Sequence, residues 1–381
     1  MHRPADRGAG TLAPPPHPGA AAEAGSAPAP GPEDWLAKYL DEVEDVMERA
    51  LATGSSRAPA GLGAAPLWGS LAEATQGGKR FRPALLGVAY LAWGGRDVAA
   101  SAAVGAAVEL LHTGFLVHDD VIDDDDIRRG RPSVLGAHAG AARARGVLVD
   151  QARSYGVAAA ILAGDLALTA AVRTVAKAPV HPAAVTRLLD LFADALRVSA
   201  AGELADVWLG ATRAVATTEA AISVAEQKTA QYSFALPLQA AAVLAGESTL
   251  TVAAAEEVGR CLGIAYQLVD DLQGVFGDLG VTGKSRLSDL RSGKQTALVA
   301  HARTTDAWPA IEPYVGLATI TEDQAAVARD LLTTSGSREH VERMARGYVD
   351  RAVELAGGSG IPPRLVSWLA DLGTGLLGSA A

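Results

Sequence analysis

The chain has 381 residues, of which 49% are hydrophobic and only 5% aromatic, and its formal net charge is −10. That much apolar, Ala-rich material can build one large core or two smaller ones, and it favours helices over sheets. The negative charge argues against general nucleic-acid binding, and the single cysteine, Cys261, excludes an intramolecular disulfide or a thiolate metal cluster within one chain, in keeping with the cytoplasm.

Residues 1–31 are rich in Pro, Ala and Gly and read as a disordered tail, leaving one helical domain over residues 32–381. From Pro32 to Leu51, the residues Trp35, Leu36, Tyr39, Leu40, Val43, Val46 and Met47 recur at helical spacing. Pro32 opens this helix, and Glu33 and Asp34 suit the positive end of its dipole. Ser55 to Pro66 reads as a loop. Gly77-Gly78-Lys79-Arg80-Phe81-Arg82-Pro83 then sets three cations between two glycines and an apolar helix, Ala84 to Trp93. Such a turn suits a phosphate, and a solvated basic turn equally well.

Ala102 to His118 is a mostly apolar helical stretch, and six aspartates follow it: Asp119, Asp120, Asp123, Asp124, Asp125 and Asp126. At ~5 Å spacing each pair of charges repels by roughly 3 kcal/mol at an effective dielectric near 20. The cluster therefore protonates, is solvated on a loop, or holds cations. Acid at a helix C-terminus opposes the dipole, and a metal is one way to offset that cost. On a helix Asp119 and Asp123 share a face, and Asp120 and Asp124 form an adjacent pair; a few hard oxygen ligands with room for phosphate suit Mg2+. Arg128 and Arg129 either reach metal-held phosphates or neutralise the acids, and Gly130 with Pro132 is expected to end the helix.

Further apolar helices are expected at Val157 to Val175, where Asp165 reads as a paired or capped core residue, and at Ala183 to Ala200. Glu203 and Asp206, three apart, read as partners of a structural ion pair. Gln227 to Pro237 sets polar residues, Lys228 among them, into an apolar helix that Pro237 should kink; Lys228 either faces a wet cavity or snorkels to the surface. The longest uncharged run, Thr229 to Gly246, is broken by Gln231, Ser233, Pro237 and Gln239, so no membrane span is expected there. A second apolar run, Cys261 to Val269, again ends in paired acids at Asp270 and Asp271, before Gln273 and Gly274. If the two acidic tips pack side by side, bridging metals can hold a polyanion between them. Gly283-Lys284 and Gly293-Lys294 lie in a basic stretch, and Ile320 to Leu377 keeps helical spacing without further chemistry. No covalent nucleophile constellation, zinc spacing, dinucleotide fingerprint or P-loop is present.

From about Leu71 to Thr296 these motifs resemble, in order, those of the trans-isoprenyl diphosphate synthases. The resemblance implies an all-α fold, a single large helical bundle around a central cavity, working as a homodimer with more than one Mg2+. It implies Lys79, Arg82, His112 and Arg129 as ligands of isopentenyl diphosphate, and Arg128, Lys228, Thr229, Gln267, Lys284 and Lys294 on the side of an allylic diphosphate. It also implies Asp119, Asp120, Asp123, Asp270 and Asp271 as the metal-binding acids. One position departs: the third aspartate usual in the second acidic motif is Gly274 here, and the next acid, Asp278, lies about two turns past Asp271, ~11 Å if the helix continues.

The implied reaction is ionisation of the allylic diphosphate and attack by the double bond of isopentenyl diphosphate, the departing diphosphate taking the proton. Phe115 lies about one turn, ~5.4 Å, below Asp119 and is expected as the floor that limits product length, with Gly114 leaving space beside it. A C20 product, geranylgeranyl diphosphate, is expected, with C15 farnesyl diphosphate as the alternative. A terpene cyclase would not need the Gly78 to Arg82 loop, and a non-catalytic synthase subunit would have lost more motif residues than Gly274.

Overall fold

The computed structural model describes residues 32–58, 64–212, 215–277 and 287–378; the expected tail, Asp278 and Lys284 lie outside them. Among the described residues the chain is helical apart from a two-stranded antiparallel ribbon, β1 (Ile127–Arg128) and β2 (Arg131–Pro132). The first helices are α1 (Pro32–Ser56), α2 (Ala64–Ala74), α3 (Phe81–Ala92) and α4 (Val98–Ile122). Trp35, Tyr39, Val43, Met47 and Leu51 of α1 are buried in the three-to-four spacing that makes one continuous face. Trp35 stacks on Tyr39 at 5.2 Å, and the Tyr39 hydroxyl donates to the Pro83 carbonyl at 2.9 Å, fastening α1 to α3.

Helix α4 is the axis of the bundle. Asp97 caps it by accepting from the Ala100 N–H at 3.0 Å, and every residue from Ala100 to Gly114 is buried, because α1, α3 and α6 (Val149–Ala176) cover its sides. A buried Leu or Val contributes roughly 1.5–3 kcal/mol. A few such residues, Leu110 and Leu111 among them, outweigh the roughly 0.3–1 kcal/mol cost of an acid at the helix end, so packing keeps α4 helical up to its aspartates. Both α4 and α6 are long and apolar enough to cross a membrane, but 89% of the apolar window of α4 is buried in the fold, against 44% for α6.

After α5 (Val134–Ala144) and α6 come α7 (Pro182–Thr212), α8 (Thr218–Ala225), a π-helix (Glu226–Ala235), α9 (Leu236–Leu244) and α10 (Thr249–Phe276). The π-helix replaces the expected kink at Pro237. The Leu236 N–H bonds to Gln231 O, five residues back, and Pro237 falls in the first turn of α9, where a missing N–H costs nothing. Short α11 (Ser288–Ser292), α12 (Ala297–Ala302) and α13 (Trp308–Ile311) precede α14 (Glu322–Thr334), α15 (Ser337–Gly358) and α16 (Pro363–Gly378). Ile264 and Leu268 of α10 form a second core with Leu298, Ile311, Leu332 and Val341 of α12 to α15, while Ala352 and Ala356 of α15 and Leu365, Trp368 and Leu369 of α16 join the first core.

Candidate active site

Helix α4 stops at Ile122, not at Gly130. The Asp123 N–H bonds to Asp119 O and the Asp125 N–H to Asp120 O, both at 2.8 Å, while Asp124 takes the left-handed conformation at φ 60°. Gly130, at φ 73°, instead pairs with Arg129 at φ 53° to form the tight turn of the β1–β2 hairpin. The left-handed residue breaks the expected Asp120–Asp124 pairing, and Arg153 of α6 binds Asp124 together with Asp126. Asp119 and Asp120 stay on the last turn, where Arg128 bonds to Asp120 and, at 3.2 Å, to Asp119. Burial pushes the Asp120 carboxyl up to about 6 against the pull of Arg128, and burial followed by repulsion from Asp119 raises Asp123. Among these residues carboxylate is in excess of cation, and all the donors are hard oxygens, a set that fits Mg2+.

The second tip is reached through the π-helix. Lys228 Nζ lies 3.6 Å from Asp119, 3.0 Å from Glu203 and 2.8 Å from Asp206, so it does not snorkel. Burial opposes its charge, yet Asp206, Asp119 and Glu203 together hold its pKa above the usual range. Gly202 permits the approach, since a Cβ there would fall 2.5 Å from the Lys228 backbone nitrogen. The next residue, Thr229, donates to Gln267 Oε1 at 2.8 Å, and Gln267 donates to Asp271 Oδ1 at 2.9 Å. Lys294 Nζ meets the same Asp271 oxygen at 3.0 Å, so it is no solvated loop residue, and Asp271 chiefly holds its pKa up. Adjacent residues of one π-helix thus lead to both acidic tips, Lys228 directly and Thr229 through Gln267. The charge of Asp206 is felt by Asp123 on one side and by Lys294 on the other. Asp270 stands beside Asp271 on α10; among the described residues no three such groups are already drawn into a closed metal cluster.

Along the same face of α4, about two turns before Asp119, a second group of polar residues gathers around His112 and Tyr232. Arg82 donates to the Ser233 hydroxyl at 2.9 Å and the Tyr232 hydroxyl at 3.3 Å, and lies 5.0 Å from the centre of the Tyr232 ring. The Tyr232 hydroxyl is 3.3 Å from His112 Nδ1. Burial, and then Arg82, Arg129 and Arg128, push His112 well below its ordinary pKa, so the imidazole is neutral at pH 7. Arg80 is not part of this set: it bonds to Glu44, Glu109 and the Thr75 carbonyl and anchors the loop to α1 and α4. Lys79 is exposed on that loop, and the Arg129 guanidinium lies over Gly78, 3.1 Å from where a Cβ would stand. A cavity of about 340 Å³ opens here, lined by Ser70, Gly77, Thr113, Asp120, Arg128 and Arg129.

Phe115 packs edge-on against Tyr232 at 4.8 Å, below the acidic tip. Gly114 leaves no empty space: Leu168 of α6 fills it, 2.6 Å from where a Cβ would stand. Asp165 is exposed, with His118 at 3.6 Å, and is not a core residue. Sequence reasoning missed Tyr232 as the hub joining Arg82, His112 and Phe115, although its place among polar residues before Pro237 was a signal. It placed Glu203 and Asp206 in an ion pair without identifying the site lysine as their partner; for Arg153 and Leu168 no local signal exists.

The sequence profile of the family described as polyprenyl synthetase matches residues 68–328. The chain is 34% identical over 305 residues to a (2E,6E)-farnesyl diphosphate synthase of Mycobacterium tuberculosis, covering 77% of this chain and 78% of that one. It is 34% identical over 280 residues to a geranylgeranyl diphosphate synthase of Methanosarcina mazei, covering 73% and 79%. Its fold is similar to that of a geranylgeranyl pyrophosphate synthase from Corynebacterium glutamicum solved with isoprenyl diphosphate and magnesium: TM-score 0.82, 30% identity, 90% of this chain and 99% of that one.

Proposed function

The chain belongs to the polyprenyl synthetase family and is a trans-prenyltransferase, and we propose that it joins isopentenyl diphosphate to an allylic diphosphate to make geranylgeranyl diphosphate. The observation that carries this reading is the single π-helix whose Lys228 reaches Asp119 while Thr229, through Gln267, reaches Asp271. The family depends on magnesium in general, and Asp119, Asp120, Asp123, Asp270 and Asp271 are the residues that would hold more than one Mg2+. Bound there, Mg2+ would supply positive charge to the diphosphate oxygens of a leaving group.

The side chains divide the remaining work. Arg128, Lys228 and Lys294 add fixed positive charge where the allylic diphosphate departs, a form of stabilisation that acts without reorganisation. Thr229 and Gln267 orient Asp271 and line the path of the developing carbocation. Lys284, outside the described residues, is proposed to join this set. Lys79, Arg82 and Arg129 hold isopentenyl diphosphate, and neutral His112 contributes a hydrogen bond. Holding both substrates turns a bimolecular encounter into a local reaction. The proton leaves with the first diphosphate, so no side-chain base is needed. Phe115, braced by Tyr232, and Leu168, filling the space at Gly114, form the floor that stops growth.

A homodimer fits the outward side of α6, where Tyr155, Ile161, Leu162 and Val172 are exposed, and the cytoplasm fits the single unpaired cysteine. The test incubates the purified chain with Mg2+, isopentenyl diphosphate and, separately, dimethylallyl, geranyl or farnesyl diphosphate, with products identified by mass. A C20 diphosphate is expected; C15 as the end product selects the farnesyl alternative. Hydrocarbon formed from the allylic diphosphate alone would overturn the reading in favour of a cyclase, and no turnover by the single chain would point to a non-catalytic subunit.

A further inference from the structure

The loop before α3 turns through three left-handed residues, Gly77 at φ 77°, Gly78 at φ 84° and Arg80 at φ 48°. The two glycines adopt this conformation freely, but Arg80 carries a Cβ, and a non-glycine residue stays there only where its surroundings hold it. Its carbonyl accepts from the Ala84 N–H at 3.0 Å and so starts α3, while its side chain makes no helix cap and turns inward, 13% exposed. The conformation at 80 therefore sets both the direction in which Lys79 leaves the loop and the point at which α3 presents Arg82.

The Arg80 guanidinium is held from three sides. Nε and Nη2 bond to Glu44 of α1, the latter at 2.9 Å, Nη2 also reaches the Thr75 carbonyl at 2.7 Å, and Nη1 donates to Glu109 of α4 at 3.0 Å. Glu44, with its side chain 45% exposed, balances the charge at little desolvation cost. Glu109 is a second carboxylate, 6% exposed, and its Oε2 is buried without a hydrogen-bond partner among the described residues. Charge balance does not require a group held at that cost. What Glu109 adds is a fixed distance, because it lies three residues before His112, on the same turn of α4. Lys79 and Arg82 come from one segment and His112 from another, and the Arg80–Glu109 pair ties the two together.

We propose that Glu109 is a positioning residue for isopentenyl diphosphate: through Arg80 it sets Lys79 and Arg82 at the spacing from His112 that one diphosphate needs. The inference deepens the functional reading above and rests on it. Glu109 itself touches no substrate; without it Lys79 and Arg82 keep their charges but no longer converge with His112.

The test is steady-state kinetics of the full chain with Mg2+, each substrate varied while the other saturates. Glu109→Leu, close in size and without an acceptor, should raise KM for isopentenyl diphosphate about tenfold, a modest share of what a small displacement of a binding group costs. KM for the allylic diphosphate and kcat should stay within about threefold, because Arg128 and Lys228 bond to Asp119, Asp120, Glu203 and Asp206 and not to Arg80 or Glu109. Glu109→Gln keeps an oxygen for Arg80 Nη1 and should return that KM to within about threefold of the parent. Should Glu109→Leu fail to fold, Arg80→Lys, which keeps the charge but loses the fork, carries the same expected split. In a folded variant, an unchanged KM for isopentenyl diphosphate, or a loss spread evenly over both substrates and kcat, would overturn the proposal and leave the pair a structural one. No turnover of isopentenyl diphosphate by the parent chain would instead overturn the functional reading itself.

Discussion

Replacing Lys228 by Met keeps most of the side chain's length and removes its charge. At about 3 Å, two unit charges attract by roughly 5 kcal/mol at an effective dielectric near 20. Lys228 makes two contacts of that kind, to Asp206 at 2.8 Å and Glu203 at 3.0 Å, and a longer one to Asp119 at 3.6 Å. Desolvation cancels much of that gain, and removing one partner of a buried pair costs about 3–5 kcal/mol. The Lys228 side chain is 26% exposed, which lowers the expected stability loss to about 1–3 kcal/mol. The chemical loss is separate: a fixed charge aimed at developing negative charge is worth about 10²–10³ in kcat. Steady-state assays should therefore show kcat down by that factor, while KM for isopentenyl diphosphate stays within about threefold, because Arg82 and His112 are held by Ser233 and Tyr232 and not by Lys228. A folded variant with kcat within threefold of the parent would refute the role given to Lys228.

His112 tests the electrostatics of the other substrate side. Its folded pKa is depressed, so below the unfolded value of 6.5 the unfolded chain binds a proton that the native imidazole refuses, and stability is lost as pH falls from there. Denaturant melts of His112→Gln should fall less steeply than the parent below pH 6.5, and parallel curves would contradict the assignment. Phe115→Ala removes the ring packed on Tyr232 and should shift the product to longer chains by mass analysis; an unchanged distribution removes Phe115 from the floor. Leu162→Arg on the outer side of α6 should halve the mass measured by light scattering if that face joins two copies, and an unaltered mass places the interface elsewhere.

What was legible in the sequence depended on repetition along one element. The burial of Trp35, Tyr39, Val43 and Met47 followed from spacing alone, and so did two apolar helices ending in acids. Backbone geometry was less legible. The left-handed turn at Asp124, which sends that acid to Arg153, has no glycine to announce it. Pro237 signalled a disturbance, but the answer was ten residues of π-helix upstream, set by packing of the polar face against α7 and α10. Contacts between distant segments were hidden altogether. Glu203 and Asp206 meet Lys228 across more than twenty residues, Leu168 fills the space at Gly114, and Asp289 lies against Gly274. Each of these depends on which helices become neighbours, and that is decided by the whole core.

The most direct test of the account is a crystal structure of the chain with Mn2+ and a thiolodiphosphate analogue of the allylic substrate, located by anomalous scattering. The account predicts manganese on the analogue's phosphates at both tips, with Asp119 and Asp123 on one side and Asp270 on the other, and Lys228 between them. Manganese confined to one tip, or an analogue bound away from the π-helix, would contradict it.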